Sequence, residues 1–154
     1  GNAGDNTLNG GAGDDVYRGG AGADFLSDSN TTSADRYIWG RNEGSDTLAD
    51  VGGADQLEVL AGVSADQLWL QKSGNNLVLS VIGTSDKVTI NNWYANAANQ
   101  VEVFKLADGK TLTNTKVDNL VNAMASFTPP AAGQTTLPAN YQTSLNSVIA
   151  ANWQ

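Results

Sequence analysis

A nine-residue self-similarity at the front of the chain constrains its fold more than any other feature. Gly1–Asn9 is followed by Gly10–Arg18 and then by Gly19–Ser27, and the second and third copies match the pattern G-G-x-G-x-D-x-U-x, with U a large apolar residue. Tracking only the Asp or Asn and the apolar residue two places later extends the series to six pairs. These are Asn6 with Leu8, Asp15 with Tyr17, Asp24 with Leu26, Asp35 with Tyr37, Asp46 with Leu48 and Asp55 with Leu57, at spacings of 9, 9, 11, 11 and 9. A flexible acidic linker has no reason to place an apolar residue at a constant offset from each Asp. The pattern predicts a turn followed by a short strand, with the apolar side chain turned inward.

The residue types point to a metal. Runs of Gly let the backbone take positive φ and turn its carbonyls toward a common point. Asp adds a hard anionic oxygen, and Ca²⁺ takes six to eight oxygens at about 2.3–2.6 Å. Each nonapeptide is half a coil, and two complete one turn of a solenoid. Turns 18 residues apart therefore stack on one edge and share an ion, pairing Asn6 with Asp24, Asp15 with Asp35, and Asp24 with Asp46. Asp5 and Asp14 fall at a variable position and are expected in solvent. Asp28 and Asp50 are left open between extra ligand and turn residue. Without Ca²⁺ the columns stack like charges around a core one residue wide, which does not offset about 1–2 kcal/mol of backbone ordering per residue. The repeat is expected to be disordered without calcium and to fold as calcium binds.

Charge divides the chain into three. Residues 1–58 carry eleven acids (Asp5, Asp14, Asp15, Asp24, Asp28, Asp35, Glu43, Asp46, Asp50, Asp55, Glu58) against Arg18, Arg36 and Arg41; residues 59–118 carry five acids and five lysines; residues 119–154 carry no charged side chain. The acidic front argues against nucleic acid or an anionic membrane as partner. The chain has no His and no Cys, which removes thiol nucleophiles, His-based triads, zinc sites of Cys or His, and disulfides. No catalytic residues are expected and the chain is read as no enzyme. No apolar run approaches the roughly 20 residues of a spanning helix, so no membrane span is expected. Residue 1 is a Gly inside a repeat, and the chain is read as a fragment of something longer, a monomer in that form.

Behind the repeats, strand-like runs at 67–70, 76–82, 87–90 and 101–106 alternate with turns at 73–76, 83–86 and 107–110, which predicts antiparallel hairpins capping the last coil. Trp69, Trp93 and Tyr94 are read mainly as core aromatics, with sugar stacking as the sharper alternative. Apolar residues recur at helical intervals in 117–127 and again in 141–153. The expected division is 1–58, a calcium-binding array; 59–114, a β-rich capping unit; and 115–154, an uncharged helical tail.

The first 58 residues resemble the RTX (repeats-in-toxin, haemolysin-type calcium-binding) nonapeptide array. Residues from about Tyr37 to Leu112 resemble the related domain that follows such arrays, through Tyr37–Leu48, Gly53–Leu57 and Phe104–Gly109. The resemblance implies a mostly β fold: a calcium-bound parallel β-roll, capped by antiparallel hairpins and ending in a short helical tail. It also implies the ligands, which are the carbonyls of Asn2, Gly4, Gly11, Gly13, Gly20 and Gly22 with the side chains of Asn6, Asp15 and Asp24, and Gly19 and Ala21 facing the earlier turn. Asn6 departs from the motif's Asp, which weakens that site. Glycines are missing between Asp24 and Asp35, so no carbonyl ligands are carried over there. Proteins of this family leave Gram-negative cells by type I secretion, through an inner-membrane ABC transporter, using a signal near the C-terminus. The uncharged tail resembles that signal, with Leu120, Val121, Phe127, Tyr141, Leu145, Val148, Ile149 and Trp153 as its apolar residues. The reading is then a non-catalytic calcium-binding module of a secreted or surface protein. The alternatives are part of an adhesin that binds glycans or surfaces, and the tail of a secreted hydrolase or toxin.

Overall fold

A computed structural model describes residues 1–154. The fold is mostly β, with eleven strands in two mixed sheets and helices at the C-terminal end. Strands β1 (Thr7–Asn9), β2 (Val16–Arg18), β3 (Phe25–Ser27), β4 (Arg36–Trp39), β5 (Ser45–Ala49) and β6 (Gln56–Val59) alternate between the sheets. Five of the six begin immediately after the Asp or Asn of a repeat, and β5 takes in its Asp46. The chain thus passes from turn to strand where the glycines give way to alternating side chains.

Pairing is parallel within each set, β1–β3–β5 in one sheet and β2–β4–β6 in the other. The register lines up Leu8, Leu26, Leu48 and Ile90 in the first sheet. It lines up Tyr17, Tyr37, Leu57 and Phe104 in the second. Tyr17 and Tyr37 stack with centroids 4.8 Å apart. Since a strand alternates faces, the residues flanking each inward one point out, which leaves Val16 60% and Phe25 38% exposed.

The later strands are β7 (Leu68–Ser73), β8 (Asn76–Val81), β9 (Lys87–Ile90), β10 (Val103–Lys105) and β11 (Thr111–Thr113). β7–β8–β9 and β10–β11 pair antiparallel, as the turns predicted. They do not form a separate layer, because β9 adds parallel to β5 and β10 adds parallel to β6. An unpaired strand edge leaves N–H and C=O groups open, and β9 and β10 cover those of the last repeat strands, β5 and β6.

Helix α1 (Val117–Met124) buries Val117, Leu120, Val121 and Met124, the i, i+3, i+4, i+7 stripe of one helix face. It stops at Met124, short of the predicted Phe127. Helix α2 (Ala139–Asn152) buries Leu145 and Ile149 and is joined to α1 by Asn119 Nδ2 donating to Asn152 Oδ1 at 2.8 Å. The terminal Gln154 exchanges backbone hydrogen bonds with Thr111 of β11. No helix is long and apolar enough to cross a membrane.

One apolar cluster of 31 buried residues runs from Tyr17 to Trp153. Its weight is uneven: six members lie in residues 1–58 (Tyr17, Leu26, Tyr37, Trp39, Leu48, Leu57), and the rest lie behind them. Trp69 packs near Tyr141 and Trp93 near Phe104, both indoles almost wholly buried, the core role that sequence favoured for both.

Candidate metal centre

The turns stack on two edges. Turns leading into β1, β3 and β5 share the first edge; those leading into β2, β4 and β6 share the second. On both, one hydrogen bond repeats from turn to turn. On the first edge Asn6 N donates to Asp24 Oδ1 at 2.8 Å and Asp24 N to Asp46 Oδ1 at 3.0 Å. On the second, Asp15 N donates to Asp35 Oδ1 and Asp35 N to Asp55 Oδ1, both at 2.8 Å. The pairings read from the sequence are all present. Their separations grow from 18 to 20 and 22 residues, because later repeats carry two more residues.

This ladder uses Oδ1 of Asp24, Asp35, Asp46 and Asp55, while Asp15 enters it only as a backbone donor. Outside the ladder, Oδ2 of Asp15, Asp24, Asp46 and Asp55 is buried and accepts no hydrogen bond; Asp35 Oδ2 accepts only from Ser33 Oγ at 3.0 Å. A buried, unpaired charged oxygen is strongly disfavoured. Burial accordingly raises the Asp35 carboxyl above the usual range and pushes Asp46 up to about 7. Such oxygens need a cation. With only oxygen donors present, and turn carbonyls beside them, the set suits a hard ion such as Ca²⁺.

Gly11, Gly13, Gly20 and Gly22 have positive φ, as expected of turn glycines, while Gly4 and Gly19 do not. Asn2 Oδ1 accepts from Gly4 N at 2.8 Å and from Asn6 Nδ2 at 3.1 Å, and Asn6 Oδ1 accepts from Asn2 N. Asn6 thus closes its own turn. The Gly22 carbonyl already accepts from Ser45 N at 2.9 Å, leaving one lone pair for another partner. Ala21 is exposed and Gly19 buried. Asp5 and Asp14 are exposed as expected, yet each bridges turns, accepting from Ala23 N and Ala34 N respectively at 2.8 Å.

Asp28 and Asp50, left open by the sequence, are buried on the second edge. One carboxylate oxygen from each of Asp15, Asp28 and Asp35 lies within 4.8 Å of the others, and the same holds for Asp35, Asp50 and Asp55. Tyr17 donates its hydroxyl to Asp28 Oδ2 at 2.6 Å, and Tyr37 donates to Asp50 Oδ1 at 3.1 Å. Burial, and then the neighbouring carboxylate, raises both tyrosine hydroxyls.

Two acids behind the repeats end the columns. Glu102 Oε2 accepts from Asp55 N at 2.7 Å, in register as the next acid of the second edge. On the first edge Val88 stands opposite Asp46, and Asp86 instead receives Asn42 N and Gly44 N, each at 3.0 Å. Sequence reasoning missed both. The signal was present, since Asp86 and Val88, and Glu102 and Phe104, repeat the acid-x-apolar spacing of the six pairs.

The edges differ in their counter-charge. On the first edge Glu43, 5% exposed, is gripped by Arg18 through Nη2–Oε1 at 2.7 Å and Nε–Oε2 at 3.3 Å. The acids of the second edge have no basic partner; the two other ion pairs, Arg36–Glu58 and Lys110–Asp108, involve none of them.

Comparison with known families agrees with this geometry. Residues 1–26 match the RTX calcium-binding nonapeptide repeat (4 copies), and residues 76–116 match the haemolysin-type calcium binding protein related domain. The first match covers the three glycine-rich copies, while the hydrogen-bond ladder continues to Asp55 and Glu102. The second begins later than the resemblance at Tyr37 suggested, and it contains both column-ending acids. The chain therefore carries an RTX calcium-binding repeat followed by a haemolysin-type calcium binding protein related domain.

Proposed function

We propose that this is a non-catalytic, calcium-binding module of a secreted RTX protein, built as a parallel β-roll that is disordered without Ca²⁺ and folds on binding it outside the cell. The observation that carries the reading is the row of buried, unpaired Oδ2 atoms of Asp15, Asp24, Asp46 and Asp55, the last three on carboxylates whose other oxygen is already held by a stacked turn. Asn2, Gly4, Asn6, Gly11, Gly13, Asp15, Gly19, Gly20, Ala21, Gly22, Asp24, Asp35, Asp46 and Asp55 supply the oxygens. Bound Ca²⁺ neutralises the stacked carboxylates and cross-links successive turns.

Calorimetric titration tests it. The chain takes up several Ca²⁺ ions, and Mg²⁺ does not replace them, since Mg²⁺ holds its waters and demands a smaller octahedral shell. Asp24→Ala costs more affinity than Asn6→Ala, because Asp24 touches turns on both sides. Equal losses contradict ion sharing between stacked turns.

Residues 115–154 serve in this reading as the signal for a type I exporter. The fold adds a restriction: Leu120, Leu145, Ile149 and Trp153 are buried and Phe127, Tyr141 and Val148 half-buried, so the signal is legible only in the unfolded chain. The exporter must then engage the tail before it packs, while low cytoplasmic calcium keeps residues 1–58 unfolded. Deleting residues 115–154 is expected to abolish release from cells carrying a type I exporter; undiminished release contradicts the assignment.

A further inference from the structure

The second edge holds a feature that the nonapeptide does not supply. The first position of a repeat, five residues before its Asp, is Gly10 before Asp15 and Gly19 before Asp24. A Cβ at Gly10 would stand 2.4 Å from Asp15 Oδ2, and one at Gly19 would stand 2.2 Å from Asp24 Oδ2. This position therefore aims its side chain at the free oxygen of the repeat's own carboxylate. Five residues before Asp55 stands Asp50.

Asp50 is 2% exposed and Asp55 1%. Tyr37 holds Asp50 Oδ1 at 3.1 Å and Asp35 N holds Asp55 Oδ1 at 2.8 Å, while Oδ2 of both accepts no hydrogen bond. Asp35, 1% exposed, accepts from Asp15 N and Ser33 Oγ. Two oxygens on one Ca²⁺ stand at most about 5 Å apart, twice the bond length, and these three carboxylates meet within 4.8 Å. Asp28 makes a weaker counterpart, because Asn30 N and Tyr17 occupy its two oxygens.

Resting on the calcium reading above, we propose that Asp35, Asp50 and Asp55 form a tricarboxylate cation site in which the Asp50 side chain is a direct ligand, making this the tightest site in the chain and one that prefers trivalent ions. Three carboxylates with no basic neighbour balance a 3+ ion. On the first edge the third acid, Glu43, is already paired with Arg18. Site affinity follows ligand charge count and rigidity, and the packed Tyr17–Tyr37 pair holds Asp50 in place.

The test titrates the full chain with Tb³⁺ and reads emission sensitised through tyrosine, then repeats the titration after Asp50→Asn and Asp50→Gly. The Gly variant restores the residue that Gly10 and Gly19 hold, so it keeps a turn the chain is known to form. The first Tb³⁺ equivalent is expected to bind about tenfold tighter than later ones, and both variants remove that class while Ca²⁺ still binds elsewhere. Retention of the class at an unchanged midpoint in both variants overturns the role of Asp50 and leaves the calcium reading standing. A chain that binds neither Tb³⁺ nor Ca²⁺ overturns both.

Discussion

Chelation of Ca²⁺ near pH 8 is expected to abolish β structure in residues 1–58 while the core behind them persists. The reason is the composition of what each part buries. Residues 1–58 bury seven acids (Asp24, Asp28, Asp35, Glu43, Asp46, Asp50, Asp55) beside six apolar side chains; behind them twenty-five apolar side chains are buried with Asp86 the one buried acid. Circular dichroism should lose strand signal, hydrogen exchange should lose protection from β1 to β6, and the environments of Trp69 and Trp93 should stay native-like. Strand signal in residues 1–58 that EDTA leaves unchanged contradicts the mechanism.

The same loss should depend on pH. Asp46 is pushed up to about 7, and Asp35 and Asp50 are also raised, by burial first of all. An unfolded Asp titrates near 3.9. Between these values the folded state binds more protons, so calcium-free stability is greatest below about pH 4 and falls as pH rises through 7. Calcium-free chain at pH 5 is therefore expected to retain more strand than at pH 8. In calcium the order reverses, since protons compete for the same oxygens and affinity rises with pH. A calcium-free fold more stable at pH 8 than at pH 5 contradicts this account.

Gly44→Ala should be the most damaging single-methyl change in the array. Gly44 has φ of 88°, and a Cβ there would stand 2.0 Å from the Gly22 carbonyl oxygen. Its backbone cannot retreat, because its N–H is held by Asp86 and its carbonyl by Lys87 N at 2.9 Å. The substitution adds a clash to left-handed strain of about 1–2 kcal/mol, for a total of about 3–4 kcal/mol. Gly62→Ala isolates the strain, since Gly62 has φ of 94° and nothing within 4 Å of its Cβ position. Chemical denaturation in saturating Ca²⁺ compares the two, and equal losses would show that the turns do not stack as closely as this.

The legible part of the site is the part that repeats. Asp15, Asp24, Asp35, Asp46 and Asp55 were found because each precedes an apolar residue by two, and that offset is local geometry: the last turn residue, then the first inward side chain of a strand. Asp86 and Glu102 obey the same offset and were still missed. Nothing local says that β9 joins β5, or that β10 joins β6, across some 40 residues.

Sequence alone determined the turn-and-strand unit, the inward Leu and Tyr columns, the carboxylate rows and the helical periodicity of the tail, because each depends on a chain's own short-range geometry. Tertiary structure decided the rest. Strand pairing put Glu102 in register after Asp55 but shifted Asp86 by two residues to the amides of Asn42 and Gly44. Turn stacking turned Asp50 toward Asp35 and Asp55, and left Arg18 to neutralise Glu43 on the first edge alone. These are relations between segments distant in the chain, and burial alone makes them costly without a counter-charge.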